Sequence, residues 1–454
     1  MAFTSLNPAT GELLEEYATW SGDELGAALN AVASATPGWQ ATPIAERCEL
    51  MAGAAKVLRG RRDELARLIT LEMGKLFKEA QGEVDKCAWV CDYYAEQGPT
   101  FLADEPIESD AGRSLVCYQP LGTVLAVMPW NFPFWQVFRF AAPALVAGNT
   151  AVLKHASNVP QCALAIESVF REAGFPADTF RTLMISASQV AGVIEDRRIH
   201  AVTLTGSEPA GRQVAATAGA ALKKSVLELG GSDAFVVLED ADLEMAVSQA
   251  VASRYLNAGQ SCIAAKRFIV VEAIADRFVE RYRKAVEELK AGDPLDEGTT
   301  LAPMARNDLR DELHRQVQES VSAGATLVTG GEPLPGKGAF YAPTILDHVR
   351  PGQRAYSEEL FGPVAIVIRA ADEGDAVRIA NDSDFGLGSS VWSADSERGE
   401  RVARRLEAGC SFVNGMVKSD PRLPFGGIKH SGYGRELSHH GIHEFVNAKT
   451  LWIR

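Results

Sequence analysis

The sequence predicts an α/β protein built on parallel sheets, and three observations carry that reading. Short apolar, β-branched runs alternate with stretches of helical periodicity through most of the chain. Each run is bounded by Gly, Pro or Asn and lacks polar alternation, as strands covered on both faces require. At 454 residues the chain exceeds what one hydrophobic core normally serves, so two or three domains are expected.

The elements follow in order. The runs GTVLAVMPW (122–130), TAVLKH (150–155), AVTLTGS (201–207) and DAFVVLED (233–240) read as strands. Between them Pro160 opens a helix through PQCALAIESVFREAGF, and Gly174 supplies its stop. Strand and helix alternating this way imply right-handed crossovers on a parallel sheet. A second series begins with a helix carrying Leu243, Ala246, Val247, Ala250 and Val251 on one face, with Asp240 as its expected N-cap. The strand RFIVVE, charged amphipathic helices near 275–290 and 307–322, and strands near 341–346, 363–369 and 386–392 complete it. The final HEFVNAKTLWIR reads as an edge strand or arm for a neighbouring subunit, and a composition change at Gly230-Gly231 marks the domain boundary.

Composition narrows the function. A net charge of −14 argues against nucleic acid or an acidic membrane as the main partner. No apolar run approaches the roughly 20 residues that cross a bilayer, and MAFTSLNPATGELLEEY lacks the basic start and apolar core of a signal peptide. Seven scattered cysteines, with no CxxC pair and no clustered metal spacing, fit reduced thiols in a cytoplasmic protein without a metal.

Several residues have the chemistry of a site. Cys262 follows the turn NAGQS, and Glu228 in ELGG lies one strand and one helix earlier, so the chain can return both to one cleft. A thiolate attacks, and a carboxylate of raised pKa accepts protons near neutrality. A cysteine after a helix is also a common structural residue, and the pair alone does not choose. Asn131 in PWNFP follows a strand directly, where its amide can donate to a developing oxyanion or simply form a turn. Gly206 and Gly211 in VTLTGSEPAGR would admit a phosphate or nicotinamide beside a helix N-terminus. Lys154 and Ser157 stand just past another strand's C-terminal end, where open α/β sheets bind cofactors.

The order of these features, more than any one of them, resembles the aldehyde dehydrogenase superfamily. NPATGE (7–12), PWNFP (129–133), LTGS (204–207), LELGG (227–231), GQSC (259–262), EELFGPV (358–364), NDSDFGLGSSVW (381–392) and PFGGIKHSGYGRE (424–436) match it nearly end to end. KHASN, SCIAAKRFIV and the compact length are most similar to the shorter bacterial succinate-semialdehyde dehydrogenases. The resemblance implies a Rossmann-like cofactor domain (1–98 and 120–229), an α/β catalytic domain (230–437) and a small β oligomerisation arm (99–119 and 438–454). It implies a homodimer or homotetramer.

The implied chemistry is oxidation of an aldehyde through a covalent thiohemiacetal and thioester on Cys262, with Asn131 holding the oxyanion. Glu228 activates the hydrolytic water, which favours hydrolysis over transfer to coenzyme A. Trp130, Lys154, Ser157, Gly206, Ser207, Glu359 and Phe361 correspond to the family's cofactor contacts. Ser157 stands where many NAD-preferring members carry a glutamate that would repel a 2′-phosphate, so NADP is the expected cofactor and NAD the weaker one. Arg139, two helical turns from Asn131, corresponds to a carboxylate-binding arginine. Trp135, Ser261 and Ser419 would complete the substrate channel, and Glu436 would belong to a proton path or serve as a structural carboxylate. Succinate semialdehyde is the expected substrate, with glutarate semialdehyde or a medium aliphatic aldehyde as alternatives; a non-catalytic protein on this fold is the remote one. A second, catalytic-domain arginine of some family members has no evident equivalent here. Ala264 replaces the second cysteine of a redox-switch pair.

Overall fold

A computed structural model describes residues 2–454. Its first sheet has six strands, in the order Gly432–Tyr433, Lys224–Glu228, Ala201–Thr205, Thr123–Met128, Thr150–His155 and Phe180–Thr182. The last five run parallel, and the short first strand pairs antiparallel at the edge. Every residue of Thr150–His155 and Ala201–Thr205 is buried, which explains why these strands read as continuous apolar runs. Helices Trp135–Val146, Pro160–Glu172 and Glu208–Ala220 make the crossovers. The second of them stops one residue before Ala173-Gly174, and Gly174 takes the left-handed φ of 92°.

The chain passes from this sheet to the next across residues 229–232. The second sheet has seven strands, in the order Thr326–Thr329, Thr344–Asp347, Val364–Ala370, Ala265–Val271, Asp233–Val237, Gly388–Trp392 and Cys410–Val413. All its pairs are parallel except the first. Helices Glu272–Glu287 and Asn307–Ser322 belong to this half.

The expected cap at Asp240 is corrected by the structure. Helix Leu243–Tyr255 is capped by Asp242, whose carboxylate accepts the Glu244 and Met245 amides at 3.0 and 3.2 Å. Asp242 directly precedes the first helical turn in extended conformation, so it alone reaches those orphan donors. Asp240 accepts instead from the Ser393 hydroxyl at 2.8 Å and pairs with Arg398.

A third sheet is antiparallel. Strand Val446–Ile453 pairs over its full length with Arg113–Pro120, which also receives Glu105–Pro106. Residues 99–101 close the long helix Phe77–Phe101, and Ser438–His443 form a short helix ahead of the final strand. Ile107, Trp452 and Ile453 are about half exposed on this sheet.

Four helices, Gly22–Ala41, Ile44–Gly60, Arg62–Met73 and Phe77–Phe101, precede the first sheet in the chain. The first carries a capping box in which Ser21 and Glu24 satisfy each other's backbone amides. The last packs Ala80, Val84, Cys87 and Cys91 into one core with Trp135–Val146. That packing brings its polar edge to the site.

Candidate active site

Asn131 and the start of helix Trp135–Val146 are fixed by a buried pair from outside the sheet. Phe134 offers no side-chain cap, so Glu83 of the long helix accepts the Phe134 and Trp135 amides at 2.9 and 3.0 Å. Its other oxygen is ion-paired with Lys75, and both side chains are almost wholly buried. Lys75 in turn donates to the Asn131 carbonyl at 3.0 Å. His155, its imidazolium disfavoured by burial to a pKa of about 4, bonds the Pro133 carbonyl from the other side.

The nucleophile turn is held as tightly. Asn257, Ala258 and Gly259 all have positive φ, at 53°, 52° and 73°. Left-handed backbone costs a non-glycine residue about 1–2 kcal/mol, so something must over-determine it. Buried Arg254 does so, donating to the carbonyls of Gly259, Leu360, Gly362 and Ala265. Burial lowers its guanidinium to about 10. Asn257 donates to the Asn131 carbonyl at 2.8 Å, and Asn131 donates to the Gln260 carbonyl at 3.1 Å. The two loops therefore lock each other. The helix ends at Tyr255, so Cys262 follows a turn, as NAGQS led one to expect, though a turn that begins at Leu256.

Cys262 lines a cavity of about 300 Å³. Ser261, Trp135, Arg139 and Ser419 share its wall, so four expected substrate residues meet the nucleophile there. Burial pushes the thiol up to about 12, opposed by the charges of Arg139 and Lys266. Lys266 is buried and donates to the Ser261 and Cys262 carbonyls at 3.0 and 2.9 Å.

Glu228 and Glu436 lie behind that wall. Both carboxyls are buried and raised above the ordinary range by burial; Glu436's charge adds to the effect on Glu228. Neither oxygen of Glu228 has a hydrogen-bond partner, and one faces Gly426, where a Cβ would approach it to 2.7 Å. Glu436 is ion-paired with Arg139, whose guanidinium also lies 4.6 Å from the Phe425 ring centre. Arg139 thus reaches the cavity with much of its charge already met.

The remaining residues border a second region. Trp130 meets Phe361 edge-on, with ring centres 5.9 Å apart. Glu359 accepts the Gly231 amide at 3.0 Å and pairs with Lys266 at 3.4 Å. A Cβ on Gly230 would strike the Glu359 carboxylate, and one on Gly231 would approach the Cys262 carbonyl to 2.8 Å, which accounts for both glycines. Ser207 is the N-cap of helix Glu208–Ala220 and makes no side-chain capping bond. A Cβ on Gly206 would meet only Leu204, at 3.6 Å, so internal packing does not demand glycine there. Gly211 is different: it sits inside the helix, where Leu229 would lie 2.5 Å from a Cβ, so packing explains it and a ligand is not needed. Lys154 is buried at the end of its strand, its ammonium destabilised by burial. Ser157 is exposed on an open cleft of about 560 Å³ shared with Arg306 and Lys337. A bare backbone at a helix N-terminus, an aromatic pair, a carboxylate and an outer cleft where Lys337 stands beside the Arg306–Asp308 pair fit a phosphorylated dinucleotide.

Sequence reasoning missed Lys75, Glu79, Glu83 and Lys86, which all line the cavity from the start of the long helix or just ahead of it. Their spacing of four and three from 79 onward repeats a helical face, and that was the available signal.

A model of the aldehyde dehydrogenase family matches residues 1–451. The chain belongs to that family. Family relatives extend over the whole chain. The succinate semialdehyde dehydrogenase (NAD(P)+) of Escherichia coli K12 is 51% identical, covering 99% of this chain and 97% of its own. Succinate-semialdehyde dehydrogenase (NADP+) 1 of Mycobacterium ulcerans is 50% identical with both chains covered in full. The crystal structure of the Streptococcus pyogenes succinic semialdehyde dehydrogenase, in complex with NADP+, matches with a TM-score of 0.98 at 42% identity over both full chains. No helix of the described residues is long and apolar enough to cross a membrane.

Proposed function

We propose that this aldehyde dehydrogenase oxidises succinate semialdehyde to succinate, with NADP as the preferred cofactor and NAD as the weaker one. The observation that carries the substrate reading is the wall of the Cys262 cavity, where Lys86, Arg139 and Lys418 bring positive charge beside Phe132, Trp135 and Phe425. Of its acids, Glu83 is spent on Lys75 and Glu79 is raised by burial to about 7. A distal carboxylate meets that charge, and the named relatives at about half identity support the same substrate and cofactor.

Cys262 gives its thiol proton to Glu228 turned toward the cavity and adds through sulfur to the aldehyde carbon, and the oxyanion takes hydrogen bonds from the Asn131 amide and the Cys262 backbone N–H. One Asn131 N–H is spent on Gln260, which orients the other. Glu359, Phe361, Trp130, Gly206, Ser207, Lys154 and Ser157 would hold the dinucleotide, which when bound accepts hydride from the substrate carbon. Glu228 then takes a proton from the water that hydrolyses the thioester. Its unpartnered carboxyl, raised by burial, passes its resting proton to Glu436 and becomes a base on turning from Gly426 toward the cavity. Glu436, its charge balanced by Arg139, is the acceptor through which each proton leaves. Trp135, Ser261 and Ser419 bound the substrate. In this reading residues 1–98 and 120–229 form the cofactor domain and 230–437 the catalytic one. The half-exposed Ile107, Trp452 and Ile453 support a homodimer or homotetramer through the arm. Seven free cysteines accord with a cytoplasmic location.

Absorbance at 340 nm with succinate semialdehyde and matched NADP or NAD tests the reading. Faster reduction of NADP is expected, and no reduction of either refutes the substrate.

A further inference from the structure

A charged group lining an aromatic cavity normally has a partner, because removing an unpaired ion from water is costly. The cations around the Cys262 cavity differ sharply in this respect. Lys75 is paired with Glu83. Arg139 is paired with Glu436 and covered by Phe425. Lys418 is exposed, so water solvates it. Lys86 is half-buried, and among the described residues no carboxylate lies within ion-pair distance of it.

Its surroundings are instead those of a receptor for an anion. The ammonium donates to the Ser419 hydroxyl at 2.7 Å and lies 4.3 Å from the Trp135 ring centre. The acids close enough to favour its charge are already engaged. Asp420 binds Arg422 through both oxygens, and Glu83 binds Lys75 and two backbone amides. Burial, and then the charge of Arg139, pull the ammonium down to about 8, and the Cys87 thiol on its own helix is too strongly buried to help. An incoming carboxylate would supply the missing countercharge.

We propose that Lys86, with Ser419 as its hydroxyl partner, binds the distal carboxylate of the substrate beside Arg139, whose charge its pair with Glu436 already partly meets. The inference rests on the carboxylated-aldehyde reading above and assigns the specificity of that site. A carboxylate accepts from the ammonium and from Ser419, while Trp135 and Phe132 flank its methylene chain. Lys86 lies on the long helix, outside every motif that joins this chain to the substrate.

The test compares succinate semialdehyde with butanal, its uncharged counterpart, in the intact enzyme with NADP. In the wild type, succinate semialdehyde is expected to have the lower KM, and its KM should rise above about pH 8 as Lys86 loses its proton. Glu79 on the same wall, raised by burial to about 7, ionises below that range, so Glu79→Gln should leave the rise near pH 8 in place. Lys86→Met should raise that KM about 30-fold or more, change kcat less than about threefold, and leave butanal kinetics within about twofold. Lys86→Arg should restore most of the affinity and move the alkaline rise in KM upward. An equal loss for both aldehydes in Lys86→Met would make the residue merely structural and overturn the proposal. A wild type that prefers the acid, with a variant that keeps the preference, overturns it alone. A wild type that takes both aldehydes equally overturns the carboxylate reading and this inference together.

Discussion

Replacing Glu83 with glutamine preserves shape while removing one charge from a buried pair. The amide oxygen can still accept from Phe134 and Trp135, but Lys75 is left with the Asn131 carbonyl as its main partner. Breaking a buried pair in this way costs about 3–5 kcal/mol. Unfolding entropy is about 2.1 cal/mol/K per residue, so for a cooperatively unfolding chain of this length each kcal/mol lowers Tm by about 1 °C. The expected fall is therefore about 3–5 °C, read by tryptophan fluorescence or calorimetry. Lys75→Met combined with Glu83→Gln removes both charges and should recover most of that stability. Turnover should stay about 10²-fold low in the double variant, because Asn131 has lost the grip that sets its amide. A Tm for Glu83→Gln within 1 °C of wild type would refute the argument, as would full turnover in the double variant.

Other outcomes follow from the same geometry. Ser157→Glu should raise the KM for NADP at least about tenfold and spare NAD, because a carboxylate beside the 2′-phosphate repels it by about 1–4 kcal/mol; unchanged NADP kinetics would count against that placement. Iodoacetamide labelling of Cys262 in the cofactor-free enzyme should quicken about tenfold per pH unit from pH 7 to pH 10, since burial lifts the thiol to about 12 and only the thiolate reacts. A plateau below pH 9 would contradict it. Burial raises Glu79 to about 7, so the folded state holds a proton there that the unfolded chain has released. Its contribution to stability is present below about pH 4.5 and is lost as pH rises through about 7. Glu79→Gln should flatten that part of the Tm-against-pH curve, and an unchanged slope would show that the carboxylate is solvated. Gly230→Ala should weaken cofactor binding by displacing Glu359, with titration calorimetry as the measurement.

The sheets were legible because strands buried on both faces leave uninterrupted apolar runs, and Cys262, Asn131 and Glu228 stand in turns and strand ends that motif order exposes. The charged wall was not. Lys86 and Ser419 are 333 positions apart, and no local pattern joins them. Helix Phe77–Phe101 carries its charges at helical spacing, which looks the same whether the face meets water or a cavity. The Asp240 and Asp242 exchange shows how a two-residue error enters: both are acids before the helix, and only backbone geometry selects the cap. Arg139 was legible as a channel cation, but its partner Glu436 arrives on a loop from the far end of the chain.

The clamp formed by Arg254 also bears on how the enzyme comes into being. Its carbonyl acceptors include Leu360 and Gly362, about a hundred positions downstream of the thiol they help to seat. A ribosome-bound chain that has exposed Cys262 but not residue 362 lacks those contacts, and Arg254 keeps only the Gly259 and Ala265 carbonyls to steady the turn. The seat that aligns the sulfur with Asn131 is completed late in synthesis, and products truncated before residue 362 are released without it.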